Sequence, residues 1–305
     1  MNAVPIENAS AICGGFDAWA TDLAARCESL LDLWVPADAP AGLGGAMRYA
    51  VLDGGKRLRP LLVWAACEAV RGQAAAADRA AVAIELIHAY SLVHDDMPCM
   101  DNDVLRRGKP TVHVAFGEAQ AMLAGDAMQA LAFDVLTPDD GIAPALQAKL
   151  CRLLARASGH SGMAGGQAID LAAVGQTLDE HSLRDMHRRK TGLLLQASVM
   201  MGAACGQPSA AATAALQRYG DALGLAFQVV DDILDVTQDS TTLGKTAGKD
   251  QEANKPTYVS VLGLEASKRY AARLRDEALA AIDSAPELCG QRLRDLAFKV
   301  VSRDN

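Results

Sequence analysis

The stretch His88-Ala-Tyr-Ser-Leu-Val-His-Asp-Asp-Met-Pro-Cys-Met-Asp101 joins an apolar helical pattern to three aspartates and a proline. Asp95, Asp96 and Asp101 crowd so much negative charge together that each raises the cost of ionising the others, and a divalent cation is the simplest partner. Asp101 follows Asp95 by six residues, about 240° past a full turn, so one unbroken helix would aim the two apart. Pro98 interrupts the hydrogen-bond ladder, which lets Asp101 come from a bent last turn toward an ion held at Asp95. A helix end with merely solvated acids is the alternative that this segment alone leaves open.

A second segment shifts the balance. In Gly224-Leu-Ala-Phe-Gln-Val-Val-Asp-Asp-Ile-Leu-Asp235, the residues Gly224, Gln228, Asp231 and Asp235 recur at helical spacing and line one polar face beside apolar neighbours such as Phe227, Val230 and Leu234. Acids on an otherwise core-like helix are rarely left unpaired. Oxygen ligands without nearby His or Cys pairs favour Mg²⁺, which commonly takes one or two carboxylates and completes its shell with substrate phosphates. Two such helix ends facing each other would hold Mg²⁺ ions and a diphosphate between them.

The chain has 305 residues, and its hydrophobic fraction of 50% comes largely from Ala and Leu, with only 4% aromatic residues and no recurring short alternating segments. That composition predicts an all-α protein. A net charge of −8 argues against a nucleic-acid surface, so basic clusters call for a local anion. Seven cysteines without a CxxC pair fit a reducing compartment, and neither a signal peptide nor an apolar run of membrane-spanning length is present, so the expectation is cytoplasmic with no stable membrane insertion.

The basic clusters recur along the chain. A helix over 11 to 35 and a Pro/Gly-rich loop precede a short helix that stops at Gly54-Gly55; Lys56-Arg-Leu-Arg-Pro60 then opens the next helix, combining cations, glycine backbone and a helix N-terminus, as a phosphate seat requires. An ordinary solvated loop is the other possibility. The helix over 76 to 97 carries Ile84, His88, Ser91 and Asp95 on one face, with His88 either a core histidine or a neutral donor to a phosphate oxygen. Tyr90 stands five residues, about 7.5 Å, below Asp95, as plain core or as the floor of a cavity. Leu105-Arg-Arg-Gly-Lys-Pro-Thr111 sets Arg106 and Arg107 beside the acids. Helices are expected over 115 to 136, 145 to 172, 178 to 205, 257 to 283 and 287 to 302. The pair Gln167 and Asp170 is expected to brace helices, and Arg188-Arg-Lys-Thr-Gly192 adds another basic group. The loop between Gln238 and Pro256 contains Gly244-Lys-Thr246 but fails as a P-loop, because Asp239 stands where its first glycine should be; a cation-rich lid suits it better. The stretch from Asp101 fails as an EF-hand, because Arg106 occupies its glycine position.

Together the motifs Gly54-Gly-Lys-Arg-Leu-Arg-Pro60, Asp95-Asp-Met-Pro-Cys-Met-Asp101, Leu105-Arg-Arg-Gly108, Gly165-Gly-Gln167, Lys190-Thr191, Phe227-Gln228 and Asp231-Asp-Ile-Leu-Asp235 resemble those of the short-chain trans-prenyltransferases along nearly the whole chain. The resemblance implies a single domain over residues 1–305, an antiparallel isoprenoid synthase-like helical bundle around a deep central cavity, forming a homodimer. It implies three Mg²⁺ ions near Asp95, Asp101, Asp231 and Asp235, supported by Asp96 and Asp232. Arg106, Lys190, Gln228 and Lys245 correspond to groups that hold an allylic diphosphate, with Lys255 closing over it, and Lys56, Arg59, His88 and Arg107 to an isopentenyl diphosphate site. Thr191 and Gln228 would lie beside the reacting carbons. The implied reaction joins isopentenyl diphosphate to dimethylallyl and then geranyl diphosphate: the allylic C1–O bond ionises, the isopentenyl double bond attacks C1, and the displaced diphosphate takes the proton.

By the same resemblance Tyr90 and Ser91 set product length. Tyr90 and the two extra residues between Asp96 and Asp101 resemble the type that stops at C15 farnesyl diphosphate, since a buried ring is costly to displace. Geranyl and geranylgeranyl diphosphate are the alternative products. A terpene cyclase would not need Lys56, Arg57 and Arg59. A non-catalytic helical metal- or partner-binding protein is the alternative from another class.

Overall fold

The computed structural model describes residues 15–52, 54–176, 178–238 and 256–303. It is all-α, an antiparallel bundle built around α4 (Ala74–Asp95). Every residue from Ala80 to Ile87 is buried, and a helix apolar on all sides belongs at the centre of a core rather than at its surface. Around it pack α1 (Phe16–Trp34), α2 (Leu43–Val51), α3 (Leu58–Ala69), α6 (Glu118–Leu136) and α10 (Leu193–Ala204). Helices α3 and α10 act as a partition. Val63 and Trp64 of α3 and Leu194 and Met201 of α10 face the core around α4, whereas Leu62, Ala66, Leu195 and Val199 face a second core with α11 (Ala210–Thr237). Their contact is close because Gly202 lies where a Cβ would stand 2.1 Å from the Val63 carbonyl oxygen.

Several expected helices are divided. The segment 145 to 172 is two helices, α7 (Pro144–Ser158) and α8 (Met163–Ala172), because the chain turns through Gly159–Gly162. The segment 115 to 136 becomes α5 (Val112–Phe116) and α6, separated at Gly117, whose φ of 88° ends the first helix. Between 178 and 205, α9 (Glu180–His187) runs through one π turn, Arg188–Gly192, into α10. The expected 257 to 283 helix breaks at Gly263 into α12 (Tyr258–Leu262) and α13 (Leu264–Asp283), before α14 (Gln291–Val301). The basic stretch after Asp103 is a small hairpin, β1 (Leu105–Arg106) against β2 (Lys109–Pro110). Its two turn residues have positive φ, Arg107 at 52° and Gly108 at 74°, the geometry that matches the natural twist of paired strands. No helix among the described residues is long and apolar enough to cross a membrane.

Asp78 and Arg57, charged residues buried around α4, are matched. Asp78 on α4 accepts from Arg26 Nε at 2.8 Å and from the Trp64 indole at 3.0 Å. Arg57, which precedes α3, is 3% exposed and turns inward. Its guanidinium donates to Glu85 at 2.6 Å, to Glu28 at 2.9 Å and 2.5 Å, and to the Val51 carbonyl at 2.5 Å. Removing one side of such a pair strands the other charge in low dielectric. Arg57→Met is therefore expected to lower unfolding free energy by about 3–5 kcal/mol, measured by urea denaturation.

Candidate active site

The site grows from the N-terminus of α3. Gly54 and Gly55 have φ of 149° and 103°, and Arg107 from the hairpin lies over them. A Cβ on Gly55 would stand 2.9 Å from the Arg107 guanidinium, which donates to the Gly54 carbonyl at 2.9 Å. The two basic motifs thus meet because the first is glycine. Lys56 is exposed, and its ammonium is held below the ordinary lysine range by burial and then by nearby Arg303. Burial pushes Arg59 down to about 10, and its buried Nε has no hydrogen-bond partner among the described residues. His88 lies close to Arg59 and Arg107; burial first and these cations second push its imidazole well below its ordinary value, so it is neutral at pH 7.

At the end of α4 the chain folds back through Met97–Asp101. The Asp101 N–H donates to the Asp95 carbonyl at 2.9 Å, which sets the two aspartates side by side after the helix has ended. Burial, opposed by Lys190 and reinforced by Asp101, pushes the Asp95 carboxyl up to about 6. Asp96 points elsewhere: it is 3% exposed and takes Arg106 Nε at 2.8 and 2.9 Å and an Arg106 terminal nitrogen at 2.5 Å. Tyr90 is buried, edge-on to His94 with ring centroids 5.7 Å apart, and Ser91 Oγ donates to the His88 carbonyl at 2.8 Å.

The π turn widens the helix by one residue where Lys190 and Thr191 stand, a distortion common at functional sites. Lys190 Nζ donates to Asp170 Oδ2 on α8 at 2.6 Å, and α8 comes that near because Gly166 lies where a Cβ would stand 2.2 Å from the Lys190 nitrogen. Thr191 Oγ1 donates to Gln228 Oε1 at 2.9 Å, Gln228 Nε2 to Asp232 at 2.9 Å, and the Tyr258 N–H to the same carboxylate at 2.8 Å. Asp232 is 2% exposed and belongs to this brace. About 100° around α11 from Asp232, Asp231 meets the chain's C-terminal region: Arg303 donates to its Oδ1 at 3.1 Å and to the Phe227 carbonyl at 2.9 Å, its guanidinium 4.0 Å above the Phe227 ring. Asp235 is buried one turn further along.

Two kinds of residue escaped the sequence. Asp170, expected only to brace helices, sets the position of Lys190. Gln167 beside it has both amide atoms buried without a partner among the described residues, and the Gly165-Gly166-Gln167 motif was the signal for it. Lys245 and Lys255, with the remainder of the expected lid, lie outside the described residues. Among the described residues no group of three or more His, Cys, Asp or Glu side chains is placed to hold a metal ion by itself.

An α-helical scaffold with aspartates at two helix ends, ringed by cations, defines a class of proteins that handle anionic, metal-associated ligands. Residues 41–288 match the model of the polyprenyl synthetase family, and the chain belongs to that family. It is 46% identical over 263 residues to the farnesyl diphosphate synthase of Escherichia coli K12, covering 85% of this chain and 88% of that one. It is 48% identical over 254 residues to a heterodimeric geranylgeranyl pyrophosphate synthase large subunit of Arabidopsis thaliana, covering 81% and 68%. The crystal structure of Helicobacter pylori geranyltransferase complexed with magnesium and isoprenyl diphosphate superposes with a TM-score of 0.81 at 35% identity, covering 95% and 97%. The neighbouring aspartates of α11 separate by experiment: Asp232→Ala, which orphans the buried Tyr258 N–H, is expected to cost about 1–3 kcal/mol in urea unfolding, and Asp231→Ala less, because its carboxylate is part-exposed.

Proposed function

We propose that the protein joins isopentenyl diphosphate head-to-tail to dimethylallyl and then geranyl diphosphate, with Mg²⁺, and stops at (2E,6E)-farnesyl diphosphate. One observation supports the reading: Thr191 bonds Gln228 of α11 at 2.9 Å, about one turn before Asp231, while its neighbour Lys190, held by Asp170 at 2.6 Å, lies within electrostatic reach of Asp95 on α4. The donor set fits Mg²⁺, because burial first and Asp101 and Asp96 after it disfavour the charged form of the half-buried Asp95 carboxylate, a cost that a cation would relieve. Asp95, Asp101 and Asp231 would hold the ions, with Asp235 behind them, and open positions would remain for phosphate oxygens. When bound, the metal supplies positive charge for the departing diphosphate.

The remaining work falls to the chain's own residues. Lys190 spends one of its three donors on Asp170, and Arg106 turns one edge of its fork to Asp96; both keep donors for the allylic diphosphate. Anchored in this way, they stabilise developing charge without first having to be ordered. Arg59 with its unpartnered Nε, Lys56, Arg107 and neutral His88 would seat isopentenyl diphosphate. Thr191 Oγ1 gives its hydrogen to Gln228, which leaves its lone pairs for the carbon from which the C1–O bond would depart. The isopentenyl double bond attacks that carbon, and the displaced diphosphate takes the proton. The reading takes residues 1–305 as one catalytic domain, and the exposed Val114, Phe116, Met122 and Leu123 of α5 and α6 support a homodimer.

Tyr90 supports stopping at C15, because a lengthening chain would have to displace a packed ring. The test is incubation with isopentenyl and geranyl diphosphates, with Mg²⁺ or with chelator, and chain-length analysis of the products. A Mg²⁺-dependent C15 product is expected. C20 from the wild type would make this a geranylgeranyl diphosphate synthase, and absence of condensation would refute the catalytic reading. Tyr90→Ala is expected to lengthen the product, and unchanged C15 output would place the floor elsewhere. Asp231→Ala is expected to lower turnover at least 100-fold, on the order of removing a major electrostatic stabiliser, with helical circular dichroism intact.

A further inference from the structure

The C-terminal ends of α3 and α10, remote from the site, bring two thiols together. Cys67 lies in the last turn of α3 and Cys205 closes α10; they are 5% and 3% exposed. The two residues meet across Gly72, and each perturbs the other's ionisation. The backbone around them is packed at the limit that glycine allows, since a Cβ on Gly72 would stand 2.9 Å from Cys67 Sγ and equally 2.9 Å from the carbonyl carbon of Cys205. The Gln73 N–H donates to the Cys205 carbonyl at 2.9 Å, and the Gly72 N–H to the Cys67 carbonyl at 2.9 Å, so the turn after α3 is tied to the end of α10. The remaining thiol contacts are weak, Cys67 Sγ 3.7 Å from the Gln73 carbonyl and Cys205 Sγ 3.2 Å from the Met201 carbonyl.

Small solutes have a route to Cys205, behind which Cys67 packs. A surface cavity of about 590 Å³, lined by residues that include Gly72, Gln73, Lys149 and Cys205, opens beside it. Burial pushes the Cys27 thiol up, whereas the neighbouring Cys205 draws Cys67 below the ordinary thiol value, and Cys67 together with burial moves Cys205 up. That asymmetry separates an attacking sulfur from a resolving one.

We propose that Cys67 and Cys205 are a redox modification site that closes to a reversible disulfide on exposure to a hydroperoxide. Cys67 sulfur attacks a peroxide oxygen; the O–O bond breaks, a sulfenic acid forms, and the expelled hydroxide leaves as water with the thiol proton. Cys205 sulfur then attacks the Cys67 sulfur; the S–S bond forms as the S–O bond breaks, and a second water carries away the Cys205 proton. Two thiols and one hydrogen peroxide become one disulfide and two waters, and a dithiol reductant reverses the change. The bond clamps together the two helices whose opposite ends lead to Lys56–Arg59 and Lys190–Thr191.

The test is to treat the native protein with hydrogen peroxide, alkylate remaining thiols after denaturation, digest without reduction and map the peptides by mass. Expected is a Cys67–Cys205 cross-linked peptide, lighter by two hydrogens than the two thiol peptides, in most molecules, and lost on treatment with dithiothreitol. Cys67→Ser and Cys205→Ser should each remove it. Recovery of both cysteines alkylated, over-oxidation of Cys67 without the cross-link, or pairing of either with Cys289, Cys99 or another cysteine would overturn the proposal. The map of the natural protein decides the question even if a serine variant folds poorly.

Discussion

The guanidinium of Arg57 is the contact on which the arrangement of the first half depends. Removed from water, it is held by Glu85 from α4, Glu28 from α1 and the carbonyl that ends α2. Replacing such a buried pair by apolar side chains of equal volume can leave a protein as stable or more so, so its effect is best sought in position. Arg57 has the left-handed φ of 48°, which turns it toward the core between Lys56 and Arg59. With Arg57 anchored, the start of α3 sits at one height against α4, and Arg59 comes near His88 and Asp231.

The same device recurs around the site at lower burial. Arg106 rests on Asp96, Lys190 on Asp170 and Arg303 on Asp231, each cation tied by one carboxylate while other donors remain. A chain of net charge −8 can in this way present a local positive ring. Ordering these long side chains beforehand removes an entropic cost from the moment of binding. Arg303 differs from the other two, because the carboxylate it rests on belongs to the proposed metal set. A cation and that side chain would therefore compete for Asp231.

Much of this architecture was legible in the residues. The Ala-rich composition and the long apolar run before Asp95 predicted helices, and the i, i+4 and i+7 spacing of Gly224, Gln228 and Asp231 put the second acidic group on one helical face, as in α11. Less legible were the breaks. Gly159 and Gly162, inside the single helix expected over 145 to 172, are the end of one helix and the approach to another. The π turn at Arg188–Gly192 has no sequence signal, because one extra residue in a helix turn alters no periodicity that a short window can detect.

Sequence alone determined which residue types are concentrated and at what spacing: carboxylates at two helix ends, cations after glycine pairs, an aromatic below the first aspartate. Those properties are local, set by covalent order and by the 3.6-residue helical repeat. Only the tertiary structure decided which member of each cluster does what. Of Asp95 and Asp96, one lies within electrostatic reach of Lys190 and the other is bound by Arg106; of Asp231 and Asp232, one meets Arg303 and the other braces Gln228 and Tyr258; Asp170 became a partner of Lys190 across 20 residues. Neighbours in a chain point about 100° apart on a helix, so their roles depend on what packs against each side, and that is settled by contacts between distant segments.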